Sequence, residues 1–139
     1  MKLSNSYIGL PEEFYQVVNP TPVRNPKILI FNKDLADSLD IKLKDEDLSN
    51  FFSGNGLPED SVPIALNYAG HQFGNFVQQL GDGRAVLLGE INTRDGTYDL
   101  QLKGSGKTMF SRQGDGRSAL GPVIRLSLIH ISEPTRRYA

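Results

Sequence analysis

Gln79-Leu80-Gly81-Asp82-Gly83-Arg84-Ala85-Val86-Leu87-Leu88-Gly89-Glu90 decides how the rest of this chain is read. It sets a glycine-rich turn between two apolar runs. A third apolar run, Tyr98-Asp99-Leu100-Gln101-Leu102-Lys103, ends in a lysine. Glycine lets a backbone come close to a ligand and turn its N–H groups inward, and lysine adds a positive charge. Ala85-Val86-Leu87-Leu88 with Glu90-Ile91 reads as one strand, and Arg94-Asp95-Gly96-Thr97 supplies the hairpin turn into the strand ending at Lys103. The combination points to a nucleotide-phosphate cradle.

A strand, a glycine turn, a strand and a lysine on the next strand is the order in which protein kinases cover ATP phosphates. Two other nucleotide-binding patterns fail. A Rossmann fingerprint needs a helix after the glycine turn and a different glycine spacing. Gly104-Ser105-Gly106-Lys107-Thr108 resembles the end of a Walker A loop. However, Gln101 stands where that loop needs its first glycine, and Gly114 and Gly116 interrupt the helix that should follow.

Composition narrows the class. The 139 residues make one domain or part of a larger one, and 38% hydrophobic with 22% charged residues suits a soluble globular protein. No apolar run is long enough for a membrane helix. Met1–Tyr7 lacks the apolar core of a signal peptide and the arginines of a transit peptide, so a cytoplasmic setting is expected. A net charge of −1 gives no electrostatic case for nucleic acid. The absence of cysteine excludes a disulfide framework and a zinc–thiolate site. Of 14 glycines, 11 lie between Gly70 and Gly121. The second half is therefore rich in turns and close approaches, and the first half reads as scaffold.

In that scaffold, Pro11, Pro20, Pro22 and Pro26 forbid a long helix. Lys27-Ile28-Leu29-Ile30-Phe31 is expected to form a short strand. Asn32 caps a helix through Leu39, with Leu35, Ala36 and Leu39 on one face. Lys42–Asp47 is a solvated charged run, and Phe51-Phe52-Ser53-Gly54-Asn55-Gly56 ends a short helix in a turn. His71 has no second histidine or clustered carboxylate beside it, so it is read as a hydrogen-bonded structural residue and not as a metal ligand.

The tetrad Gly-Asp-Gly-Arg occurs at Gly81–Arg84 and again at Gly114–Arg117. Each copy offers backbone donors, a carboxylate and a guanidinium. Arginine grips phosphate bidentately, and aspartate can hold a sugar hydroxyl, an adenine amine or a metal. Two tight turns with their charges in solvent would explain the same residues. From the residues alone, both readings stay open.

Tyr68-Ala69-Gly70-His71-Gln72-Phe73-Gly74, Gln79–Arg84, Leu88-Gly89-Glu90, Leu102-Lys103-Gly104-Ser105-Gly106 and Ser111-Arg112-Gln113-Gly114-Asp115-Gly116-Arg117 together resemble the SelO/YdiU family, the selenoprotein O-like protein adenylyltransferases. The resemblance runs from about Tyr15 to Arg125. It implies an α+β fold, the N-terminal part of a kinase-like domain, that binds ATP in a flipped orientation. The full-length enzyme would transfer AMP to the hydroxyl groups of Ser, Thr or Tyr in protein substrates with Mg²⁺ or Mn²⁺. By resemblance, Gly81, Gly83, Arg84, Lys103, Asp115 and Gly116 contact the nucleotide, while the catalytic and metal-binding residues lie beyond this chain. A kinase-like phosphotransferase and a non-catalytic nucleotide-binding module are the alternatives.

The resemblance breaks after Gly121-Pro122-Val123-Ile124-Arg125. The family continues there with a glutamate that opens a helix and pairs with the strand lysine, whereas this chain has Leu126. Leu126-Ser127-Leu128-Ile129-His130-Ile131-Ser132-Glu133-Pro134-Thr135-Arg136 resembles the in-frame translation of a transposase sequencing adapter. The expected division is thus residues 1–125 as the N-terminal fragment of the adenylyltransferase domain and 126–139 as a non-native tail. The fragment alone is expected to be inactive.

Overall fold

A computed structural model describes residues 2–59 and 61–125. The adapter-like segment from Leu126 to Ala139 lies outside the described residues. The fold is α+β. A four-stranded antiparallel sheet has the order β1-β2-β5-β6, with β1 at Tyr15–Val17, β2 at Ile64–Leu66, β5 at Ala85–Thr93 and β6 at Gly96–Lys103. A separate two-stranded sheet pairs β3, Gly70–Gln72, with β4, Asn75–Val77.

The β5–β6 hairpin is the backbone of the fold. Its two-residue turn, Arg94-Asp95, is closed by Thr93, whose Oγ1 accepts from the Asp95 N–H at 3.2 Å and donates to the Gly96 carbonyl at 3.0 Å. On β5, Val86, Leu87 and Leu88 are fully buried. Each such side chain contributes roughly 1.5–3 kcal/mol by leaving water. Val86, Leu88, Ile91 and Leu102 pack with Leu3, Ala36, Ile41 and Phe51 into one core.

The register slips between Leu87 and Gly89, which is a β-bulge. Gly89 has φ +146°, and a Cβ there would stand 2.7 Å from the Ser4 carbonyl oxygen. β2 pairs with β5 only at Leu87, and Ser4 takes over that edge by exchanging backbone hydrogen bonds with Glu90 at 3.1 and 2.6 Å. Without a side chain at Gly89, the N-terminal segment can lie against β5.

Two helices cover the core. α1, Lys33–Ser38, starts at Asn32, whose Oδ1 accepts from the Leu35 N–H at 3.0 Å. Ala36 is buried and Leu39 half-buried, while Leu35 of the same expected face is exposed. α2, Asp45–Ser53, carries Asp45, Glu46 and Asp47 in its first turn, where the helix dipole favours acids. It ends at Gly54 with φ +80°. The charged run therefore starts this helix as well as facing solvent.

Lys27–Phe31 departs from expectation: it forms no strand. The strands of the sheet pair only among themselves in the order β1-β2-β5-β6, and the segment joins none of them. Leu29 and Ile30 are left 69% and 73% exposed, and Phe31 packs instead against the Phe52 ring at 5.9 Å.

The glycine turn also differs from the expected strand–turn–strand unit. The strand before it, β4, belongs to the other sheet. The turn therefore joins two sheets and does not close a hairpin.

Candidate functional site

Five of the six residues singled out in the sequence come together. Gly81, Gly83, Arg84, Asp115 and Gly116 line one cleft of about 470 Å³, with Gln72, Leu80, Phe110, Ser111, Arg112, Gly114 and Arg117. The sixth, Lys103, lies elsewhere. Its side chain is exposed at the end of β6, on a smaller cleft of about 150 Å³ with Ser105 and Phe52. Arg117 lines both clefts.

The two tetrads meet because glycines allow their chains to touch. Gly81 has φ +59° and leaves no room for a Cβ against the Phe110 ring, and a Cβ on Gly83 would stand 2.9 Å from the Phe110 carbonyl oxygen. Gly116, at φ +70°, packs on the backbone of Gly106. Hydroxyls tie the same segments together. Ser111 Oγ donates to the Gly83 carbonyl at 2.6 Å, and Thr108 Oγ1 donates to the Asp82 carbonyl at 2.7 Å. The Walker-like segment is thus a brace: its threonine is buried and spent on backbone, and turns follow it where a P-loop has a helix.

The first turn does not present free amides. The N–H groups of Leu80 and Gly81 both donate to the Tyr68 carbonyl, that of Asp82 to Leu66, and that of Gly83 to Gly81. The second turn is more open. The N–H groups of Asp115 and Gly116 have no acceptor among the described residues, and both residues line the cleft.

The two aspartates, alike in sequence, differ in place. Asp115 is exposed, and its Oδ1 accepts from the Arg117 N–H at 2.9 Å. Asp82 is only 7% exposed, and its carboxylate accepts from the Leu66 N–H at 3.1 Å and the Tyr68 hydroxyl at 3.0 Å. Burial, then the hydrogen bond to Asp82 and its charge, push the Tyr68 hydroxyl above its ordinary pKa. Asp82 therefore faces the protein interior and is not placed to hold a ligand.

Three guanidinium groups and one carboxylate give the cleft its charge: Arg84, Arg112, Arg117 and Asp115. Arg84 and Arg112 have no side-chain partner among the described residues, and Arg117 donates to the Thr21 carbonyl at 3.2 Å. The sequence alone assigns no site role to Arg112, Ser111 or Phe110. A positive φ of 54° at Arg112, which turns the chain there, leaves no mark in residue type. His71 is exposed and holds its ring edge-on to Phe76 at 5.5 Å, in place of the hydrogen bond expected for it.

Residues 1–133 match the family described as protein adenylyltransferase SelO. The chain belongs to the SelO family. It is 58% identical over 128 residues to a protein nucleotidyltransferase YdiU of Maridesulfovibrio salexigens, covering 90% of this chain and 26% of that protein. Proteins of the same name from Agrobacterium fabrum and Pelagibacter ubique are each 56% identical over 129 residues, again covering 90% of this chain and 26% of the relative. The chain thus spans about a quarter of the length of these curated relatives. No helix among the described residues is long and apolar enough to cross a membrane.

Proposed function

We propose that the arginine-lined cleft binds the phosphates of ATP, and that the full-length protein is a protein adenylyltransferase built on a kinase-like fold. The observation that carries this reading is the meeting of both Gly-Asp-Gly-Arg turns on one cleft with Arg84, Arg112 and Arg117. Guanidinium groups in a fork grip phosphate oxygens, and the unpaired amides of Asp115 and Gly116 add donors of the kind that anions seek. The names of the relatives supply the nucleotidyl transfer.

In such a transfer, a Ser, Thr or Tyr hydroxyl oxygen of a protein substrate forms a bond to the α-phosphorus. The bond from that phosphorus to the bridging oxygen breaks, pyrophosphate leaves, and the hydroxyl proton passes to a base. Catalysis of this step is positioning and charge stabilisation, which the arginines serve. Lys103 stands one cleft away, beyond Arg117. Its proposed role on the phosphates needs the partner carboxylate that the family places after Arg125.

Among the described residues, no group of three or more His, Asp or Glu side chains fits a metal ion. By the family resemblance, the Mg²⁺ or Mn²⁺ of the reaction would be held by residues of the full-length protein outside this stretch. The test is to incubate the full-length protein with ATP labelled at the α or at the γ phosphate. Protein label from the α position alone is the expected result, and label from the γ position alone would make the protein a kinase.

A further inference from the structure

We infer that Asp82 is a positioning residue of the cleft: its buried carboxylate fixes the first glycine turn so that Arg84 faces the ligand. This inference rests on the ATP-binding reading above.

Three donors from separate segments converge on the Asp82 carboxylate. They are the Leu66 N–H at 3.1 Å, the Tyr68 hydroxyl at 3.0 Å and the Gln101 amide at 3.4 Å. They bring together the end of β2, the strap that follows it, and β6. The Asp82 backbone is held on both sides as well. Its N–H donates to the Leu66 carbonyl at 2.9 Å, and its carbonyl accepts from Thr108 Oγ1 at 2.7 Å.

Two residues on, Arg84 is exposed and has no side-chain partner among the described residues. The hold on Arg84 is through its backbone, whose carbonyl accepts from the Gly104 N–H at 2.6 Å. The direction of its guanidinium is thus inherited from a turn that Asp82 anchors. Arg117 of the second tetrad has anchors of its own, through Asp115 and Thr21.

A carboxylate suits all three contacts of the Asp82 side chain, because each partner donates and an ionised carboxylate only accepts. Asparagine would keep the shape but lose the charge, so the bonds from Leu66 and Gln101 would fall to neutral strength and the one with the Tyr68 hydroxyl, which can also accept, would have to reverse. Burying a carboxylate without a cation is costly, and a turn needed only for connection is made without one. No lysine or arginine pairs with Asp82 among the described residues.

The test is a double-mutant cycle on ATP affinity, measured by calorimetry, in a full-length family protein carrying this sequence over residues 1–125. Arg84→Ala and Asp82→Asn should each weaken ATP binding roughly tenfold, through loss of a charge-assisted contact or of its direction. Once Arg84 is gone, Asp82→Asn should cost little further affinity, because it acts through that side chain. Tyr68→Phe, a milder change that leaves the carboxylate in place, should weaken ATP binding about threefold and show the same non-additivity. It serves if Asp82→Asn does not fold. If the parent protein binds ATP and Arg84→Ala weakens it, but the Asp82 and Tyr68 variants keep full affinity or act additively with Arg84→Ala, the positioning role is wrong. If the parent protein does not bind ATP at all, the ATP reading falls and this inference with it.

Discussion

Gly116 lies with its backbone against that of Gly106, so closely that a side chain on Gly116 would occupy the place of the Gly106 carbonyl. The Gly106 N–H donates to the Gly116 carbonyl at 3.3 Å across the same contact, and Ser105 bridges to Arg117 beside it. The second Gly-Asp-Gly-Arg turn is therefore docked on the loop that follows β6, with two glycines facing each other.

Gly116→Ala should be strongly destabilising. At φ +70° an alanine costs about 1–2 kcal/mol in backbone strain alone, and displacing the Gly106 backbone adds to that. Gly114→Ala is the contrast, because its Cβ would meet the Ser111 carbonyl oxygen at 3.1 Å without a positive φ. Urea unfolding of both variants should show a much larger loss for Gly116→Ala. Equal losses would remove the packing explanation.

The three arginines of the cleft should separate by function. In a full-length family protein carrying this sequence, Arg84→Ala and Arg112→Ala remove side chains with no partner among the described residues, so they should weaken ATP binding roughly tenfold each while leaving thermal stability nearly unchanged. Arg117→Ala also removes the hydrogen bond to the Thr21 carbonyl and should cost about 0.5–1.5 kcal/mol of stability besides. Titration calorimetry paired with melting curves checks both quantities. A stability loss from Arg84→Ala equal to that from Arg117→Ala would contradict this division.

Stability should fall at high pH through Tyr68. Its pKa is raised above the ordinary value of 10.0, first by burial and then by Asp82. A folded-state pKa above the unfolded one gives stability that is present below about pH 10 and is lost as pH rises through the folded value. Tyr7 is raised in the same direction by its hydrogen bond to Asp99 and that group's charge, so the parent chain should lose both contributions. Tyr68→Phe should keep only the Tyr7 part. Urea midpoints measured from pH 7 to 11 should then decline less steeply above pH 10 in the variant. An unchanged decline would separate Tyr68 from the effect.

Local rules made the hairpin and its surroundings legible. Asn32 caps α1, Gly54 closes α2, and Lys103 ends β6, each at the place its residue type demands. The convergence of the two tetrads was legible only through resemblance, because their contact depends on residues far apart in sequence. What sequence concealed was direction. Asp82 and Asp115 occupy identical tetrads, yet one is turned inward by Leu66 and Tyr68 and the other outward. Lys27–Phe31 has strand composition yet pairs with no strand of either sheet, and pairing is a property of the assembled fold. Glycine spacing suggested phosphate-binding amides at Gly81–Gly83, whereas those N–H groups are spent on the chain's own carbonyls.

The segment from Leu126 should prove foreign to the gene. Reading the locus from unfragmented DNA should show a frame that leaves this sequence after Arg125 and places a glutamate at the start of a helix. Codons for Leu126–Arg136 in the genome, with a stop after Ala139, would refute the adapter reading.

The 139-residue chain itself should bind ATP weakly or not at all and transfer no AMP. Its cleft has three arginines but no group that fits a metal ion among the described residues, and Lys103 is exposed on a neighbouring cleft without an acidic partner there. A triphosphate held by arginines alone, in a cleft open to water, gains little, since exposed ion pairs are worth at most about 1 kcal/mol each. Leu120, Val123 and Ile124 expose apolar surface at the helical residues 120–125, so the chain should also be prone to aggregation. Calorimetry with ATP and an α-labelled transfer assay on the purified chain check this. Tight binding, or any label transferred, would show that this stretch alone is sufficient as a nucleotide site.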